Sequence, residues 1–168
     1  MKKLLLVIVA LLCVATVSAK GGSALSNVNW SAGLRVGYGV QADVECFLND
    51  SNYLEGRLGL FGGLNADFTA LYNWHLFDWN WTPKAGSWYF DAGVGANLGG
   101  GVGYVYGGVA GQAKFGIKFN KVPIRLAVDY TPTLGVAGAY GKYKGDSGNV
   151  GLYAWGFANI GLSATYCF

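Results

Sequence analysis

A period of two runs through this chain and constrains its fold more than any other feature. Counting back from the C-terminus, Phe168, Tyr166, Ala164, Leu162, Ile160, Ala158 and Gly156 fall on one face, all of them apolar or glycine. Cys167, Thr165, Ser163, Gly161, Asn159 and Phe157 fall on the other, which is small and mostly polar. Strand side chains point alternately to opposite faces, so such a stretch has one greasy and one wetter side. The pattern recurs over Ser31–Tyr38, Gln41–Leu48, Tyr53–Phe61, Phe68–His75, Trp88–Leu98, Gln112–Phe119 and Ile124–Leu134. With Gly156–Phe168 that makes eight segments of about ten residues, the signature of strands that cross a bilayer.

Composition decides which solvent the greasy face meets. Hydrophobic residues make up 52% of the chain and charged residues only 12%, about half the charge of an ordinary soluble domain. Beyond the N-terminal segment there is no run of 18 apolar residues, so no helical span is expected. An apolar, strand-rich chain can still sit in lipid by closing a barrel, which leaves no backbone edge unpaired. The expected fold is therefore all-β, an eight-stranded antiparallel up-and-down transmembrane β-barrel.

The N-terminus fits export. Lys2 and Lys3 precede an apolar run from Leu4 to Val14, then Val17-Ser18-Ala19. That is the layout of a signal peptide cleaved before Lys20. Residues 1–19 are read as the leader, with Cys13 inside it, and residues 20–168 as one barrel domain. Without Lys2 and Lys3 the charge is nearly balanced, which gives no basic field for nucleic acid.

Connections and aromatics set an orientation. Asn49–Asn52 and Asn120–Lys121 read as short turns, Asp78–Gly86 as a longer one, and Gly99–Gly111 and Val136–Asn149 as long loops at the opposite end. Trp30, Trp74, Trp79, Trp81, Trp88, Tyr166 and Phe168 gather near the short-turn end, and Tyr38, Phe61 and Phe68 near the other. Two aromatic belts are expected where rings meet lipid head groups.

With the signal peptide, eight alternating segments and terminal Tyr166-Cys167-Phe168, the whole mature chain resembles the small outer-membrane β-barrel proteins of Gram-negative bacteria. No peptidoglycan-binding domain is expected after the barrel. The resemblance implies that Phe168, with Tyr166, Ala164, Leu162 and Ile160 at alternate positions before it, is the signal read by the barrel assembly machinery. It places the short turns in the periplasm and the long loops outside, with outer-membrane lipid as the surrounding partner.

The inward face collects Arg35, Asp43, Glu45, Glu55 and Arg57 from the first three segments, and Asp91, Lys114, Lys118, Arg125 and Asp129 from the later ones. An eight-stranded barrel is just wide enough for side chains to fill, and buried charges must be paired. Five acids against five bases predict an internal ion-pair network, a polar plug rather than an open pore. The long loops present Tyr104, Tyr106, Tyr140, Lys142, Tyr143 and Lys144 as candidate contacts for a surface glycan or a protein, since tyrosine offers contact area at low entropic cost.

Chemistry is sparse. His75 is the single histidine, there is no GxSxG elbow, and Ser163 is four strands away, so an acyl-transfer site is not assembled from recognisable parts. One histidine and the two cysteines beyond the leader give no metal-ligand spacing. Cys46 and Cys167 point to opposite faces with a strand between them and are expected as free thiols. Gly93-Val94-Gly95 and Gly99-Gly100-Gly101 lack the order of a phosphate-binding loop. The expectation is a non-enzymatic membrane barrel without cofactor, with a structural or surface-interaction role. The alternatives are an outer-membrane enzyme acting on lipid A or phospholipid acyl chains, and a secreted, soluble lipocalin-like binder.

Overall fold

The computed structural model describes residues 28–61, 65–139, 150–153 and 155–168. The leader at 1–19 lies outside the described residues. Among the described residues ten strands form: β1 (Trp30–Val36), β2 (Val40–Asn49), β3 (Asn52–Phe61), β4 (Asn65–Thr82), β5 (Gly86–Gly101), β6 (Tyr104–Phe119), β7 (Ile124–Tyr130), β8 (Thr133–Ala139), β9 (Val150–Tyr153) and β10 (Ile160–Cys167). They make one antiparallel sheet in which each wall strand pairs with the next. β10 closes the ring on β1, with Ser31 opposite Cys167 and Val36 opposite Leu162.

The ring has eight walls. β7 and β8 form one wall strand, because both pair with β6 in the same register, Tyr130 opposite Ala113 and Thr133 opposite Ala110. Pro132 has no N–H for the ladder and interrupts it, although its carbonyl still accepts from Gly111 N at 2.9 Å. β9 and β10 form the last wall, β9 on β8 and β10 on β7, separated by a 3-10 helix at Trp155–Ala158. Gly156 and Ala158 are thus in a helical turn, and the final strand starts at Ile160 rather than Gly156. Period-two counting cannot detect such an interruption when small residues fill it.

Two connections differ from the sequence reading. The expected turn Asp78–Gly86 is mostly strand. β4 continues to Thr82, and only residues 83–85 turn, with Ala85 N bonded to Thr82 O at 2.8 Å. A bulge makes this possible: His75 faces Asp91, but Phe77 faces Phe90, leaving Leu76 as the extra residue. The extra residue flips the alternation, so Phe77, Trp79 and Trp81 join Trp74 outside.

The expected loop Gly99–Gly111 is also strand. β5 and β6 pair without a break from Gly86/Phe119 to Gly101/Tyr104, and only Val102 and Gly103 turn. Gly103 supplies the positive φ of 89° that a two-residue hairpin requires. The neighbouring glycines are wall residues: a Cβ on Gly99 would strike the Tyr106 ring opposite. The second expected loop is shortened by β8, which takes in residues 136–139, and residues 140–149 lie outside the described residues.

The turns at Asp50–Ser51, 83–85 and 120–123 lie at the same end as Asn29 and Phe168. There Asn29 N bonds to Phe168 O at 3.3 Å and Phe168 N to Trp30 O at 2.8 Å.

Candidate functional site: the charged lumen

The alternation of each strand delivers its polar set to the lumen. β1 contributes Ser31 and Arg35, β2 Gln41, Asp43 and Glu45, β3 Tyr53, Glu55 and Arg57, and β4 Thr69, Asn73 and His75. From the other half come Asp91 and Tyr89 on β5, Lys114 and Gln112 on β6, Arg125 and Asp129 on β7, and Ser163 and Thr165 on β10. All of these but His75 are buried.

Ion pairs link the charges along the barrel axis. Toward the long-hairpin end, Arg35 grips Asp129, with Nε at 2.9 Å from both carboxylate oxygens and Nη2 at 2.7 Å from Oδ1. Arg57 Nη1 stands 3.4 Å from the same Asp129 oxygen, and its Nη2 is 2.5 Å from Glu55 Oε1. Lys114 Nζ then bridges Glu55 Oε2 at 2.8 Å and Glu45 Oε1 at 2.7 Å. Arg125 donates from Nη1 to Glu45 Oε2 at 2.6 Å and from Nη2 to Asp91 Oδ2 at 3.1 Å. Neutral donors complete the carboxylates: Ser31 Oγ to Glu45, Asn73 Nδ2 to Glu55 at 2.8 Å, and Tyr53 OH to Asp91 at 2.7 Å. Each ion pair is charge-assisted, and all but Arg57–Glu55 join different strands.

Aromatic side chains pack inside the barrel toward the turn end. The Phe47 and Tyr53 rings pack in a tilted arrangement, centroids 5.1 Å apart, with Val28 against them. The Arg125 guanidinium lies over the Tyr89, Phe47 and Tyr53 rings at 4.3, 5.2 and 5.6 Å, a desolvated cation–π arrangement. Glycine makes room elsewhere: a Cβ on Gly161 would run into the Arg35 guanidinium.

Nine of the ten charges expected inside are fully buried. Lys118 is half-buried toward the turn end, opposite Ser87 on β5 and Arg125 on β7. Sequence alone offers His75 only as the single histidine. In the structure it continues the polar chain, with Nδ1 2.6 Å from Asp91 Oδ1 and Nε2 3.0 Å from Asp78 Oδ2. Asp78 was missed because the bulge at Leu76 turns it inward against the simple alternation.

Two candidate loop contacts are corrected. Tyr104 and Tyr106 are in strand β6, and Tyr106 is buried on the inner face, stacked on Tyr153 at 4.5 Å and Tyr104 at 6.3 Å. Glycine-rich sequence suggested a loop, whereas a barrel wall uses glycine opposite large rings. Tyr140, Lys142, Tyr143 and Lys144 lie outside the described residues. Cys46 and Cys167 are both free.

The outward face is the reverse of the lumen. Ile160, Leu162, Ala164, Tyr166 and Phe168 are all exposed on the last wall, with Tyr166 and Phe168 rings 5.0 Å apart. Near the 83–85 turn, Phe77, Trp79, Trp81, Trp88 and Phe115 form an outer aromatic cluster at 5.4–6.1 Å spacings.

No protein-family model matches the chain, and no curated protein matches it. Among solved structures, the crystal structure of the N-terminal beta-barrel domain of Pseudomonas aeruginosa OprF is similar to it. The likeness has a TM-score of 0.40 and 16% identity and covers 83% of this chain and 95% of that one. This chain's own strand pairing, from β1 round to β10, makes it a closed eight-stranded antiparallel up-and-down β-barrel.

Proposed function

We propose that this protein is an integral outer-membrane β-barrel, exported by its N-terminal leader, with a structural or surface-interaction role and a plugged polar lumen. One observation carries the reading: the barrel is inverted relative to a water-soluble one. Leu58, Leu60, Leu98, Val109 and Leu162 are each 61–66% exposed on the wall, while nine charged side chains are fully buried. Among the described residues, Asp50, Lys84 and Lys121 sit in turns at one end, away from that wall. Such a surface suits hydrocarbon, and the two-residue alternation is what delivers it. The lumen supports the plug: fully buried side chains fill it and are held by many short ion pairs.

The alternative functions have less support. A lipocalin-like binder needs an apolar cavity, and this lumen is lined by charge. An acyl-transfer enzyme needs a base free to face a hydroxyl, and both ring nitrogens of His75 face carboxylates. The outward set ending in Phe168 is the segment we assign to recognition by the assembly machinery, with outer-membrane lipid as the resting partner. Fractionation of cells expressing the full chain tests the reading. The expected result is protein in the outer membrane that resists alkaline extraction, and a version lacking Phe168 that accumulates less there. Wild-type protein free in the periplasm or medium would overturn it.

A further inference from the structure

The charged lumen does not balance. Among the described residues, five acids and four bases are fully buried. Four acids and four bases alternate in the chain of ion pairs from Arg35 to Asp91, which is neutral as a unit. The acid left over is Asp43. It is 0% exposed, and neither carboxylate oxygen has a hydrogen-bond donor among the described residues. Its neighbours across the ladder are Arg57 on β3, already held by Glu55 and Asp129, and Gly33 on β1, which brings no side chain. An isolated carboxylate does not stay charged and bare in such a place; it takes up either a proton or a counter-charge.

The surroundings indicate what supplies it. One oxygen each of Asp43, Glu45 and Glu55 lie within 4.8 Å of one another. A single point can therefore sit within about 2.8 Å of all three, close to the range at which hard cations meet oxygen ligands. Lys114 already offsets part of the charge of Glu45 and Glu55, and Arg125 and Arg57 the rest. Among the fully buried groups one negative charge remains, which matches a monovalent ion rather than a divalent one. We infer that the lumen binds one alkali-metal cation, held by Asp43 with Glu45 and Glu55 completing its oxygen shell. The inference rests on the barrel interior and stands apart from where the barrel resides.

The test uses the full-length mature chain folded in detergent micelles and unfolded by urea. Ionic strength is held constant by exchanging sodium chloride for choline chloride, whose cation is too large for the site. Once sodium exceeds its dissociation constant, a tenfold rise should raise the folded-to-unfolded ratio about tenfold, as expected for one ion bound only by the folded state. Asp43→Asn, which removes the unbalanced charge, should abolish that dependence. Asp67→Asn should keep it, because Asp67 already accepts from Gln41 at 2.9 Å. Folded wild-type protein should also broaden the sodium NMR line. Four results would overturn the inference: a wild type indifferent to sodium, a dependence retained by Asp43→Asn, stabilisation by calcium but not by sodium, or no line broadening even if the variant fails to fold. A proton on Asp43 would appear as the first of these, with stability rising as pH falls instead.

Discussion

Glu45 receives Lys114, Arg125 and Ser31 at once, whereas Asp43, two residues earlier on the same face, receives no donor. Identical chemistry at neighbouring lumen positions should thus give opposite responses. Removing one partner of a buried pair strands the others, so Glu45→Ala should cost about 3–5 kcal/mol. Asp43→Asn, measured without sodium by the same urea unfolding, should cost far less or stabilise. Alternation alone marks both residues as inward, so the inventory of the lumen was legible in the sequence. The partners were not. Arg35 with Asp129 and Lys114 with Glu45 join positions 94 and 69 residues apart, and only the closure of the ring brings them together. Gly161 reads as one more small strand residue; its function as the floor beneath the Arg35 guanidinium depends on a side chain from the adjacent wall.

Strand β4 shows what an element adds to its residues. Its 18 residues would run about 60 Å if extended, and one bulge at Leu76 keeps Phe77, Trp79 and Trp81 on the outer side with Trp74. Sequence alone gives a segment Phe68–His75 and a turn Asp78–Gly86 that contains Trp79 and Trp81. A bulge and a turn look alike to a period-two count; cross-strand register distinguishes them. Deleting Leu76 should restore strict alternation and push Phe77 and Trp79 toward space occupied by Tyr89 and Asp91. The deletion should therefore lose the folded band seen when unboiled samples are run on a gel, while Leu76→Ala should retain it. The β5–β6 hairpin depends similarly on one residue. Gly103→Val forces a β-branched side chain into a left-handed conformation, and urea unfolding should register a cost of about 1–2 kcal/mol.

At the scale of the molecule, the sorting of charge inward and hydrocarbon outward matters more than any single contact. It predicts where a new charge is harmful. Val94→Arg, on the outer face midway along β5 and opposite Tyr72 and Gly111, should destabilise the barrel in lipid by about 2–4 kcal/mol. Val102→Arg, at the tip of the hairpin, should cost no more than about 1 kcal/mol. Equilibrium folding into phospholipid vesicles measures both. This sorting was the most legible property of the sequence, because it needs only a period of two and a low charge fraction. The height of the walls was less so: β1 has 7 residues and β5 has 16, and glycine-rich stretches conceal how far the taller side extends.

Tryptophan fluorescence provides the most direct measurement of the central claim, that the apolar wall faces lipid. Trp74, Trp79, Trp81 and Trp88 all lie on the outer side of the barrel, and the lumen is lined by charge. The chain should be folded into bilayers whose acyl chains carry bromine, and its emission compared with that in unlabelled bilayers. The account predicts strong quenching that develops together with the heat-sensitive folded band. Folded protein whose tryptophans are not quenched, or that remains soluble without lipid, would contradict it.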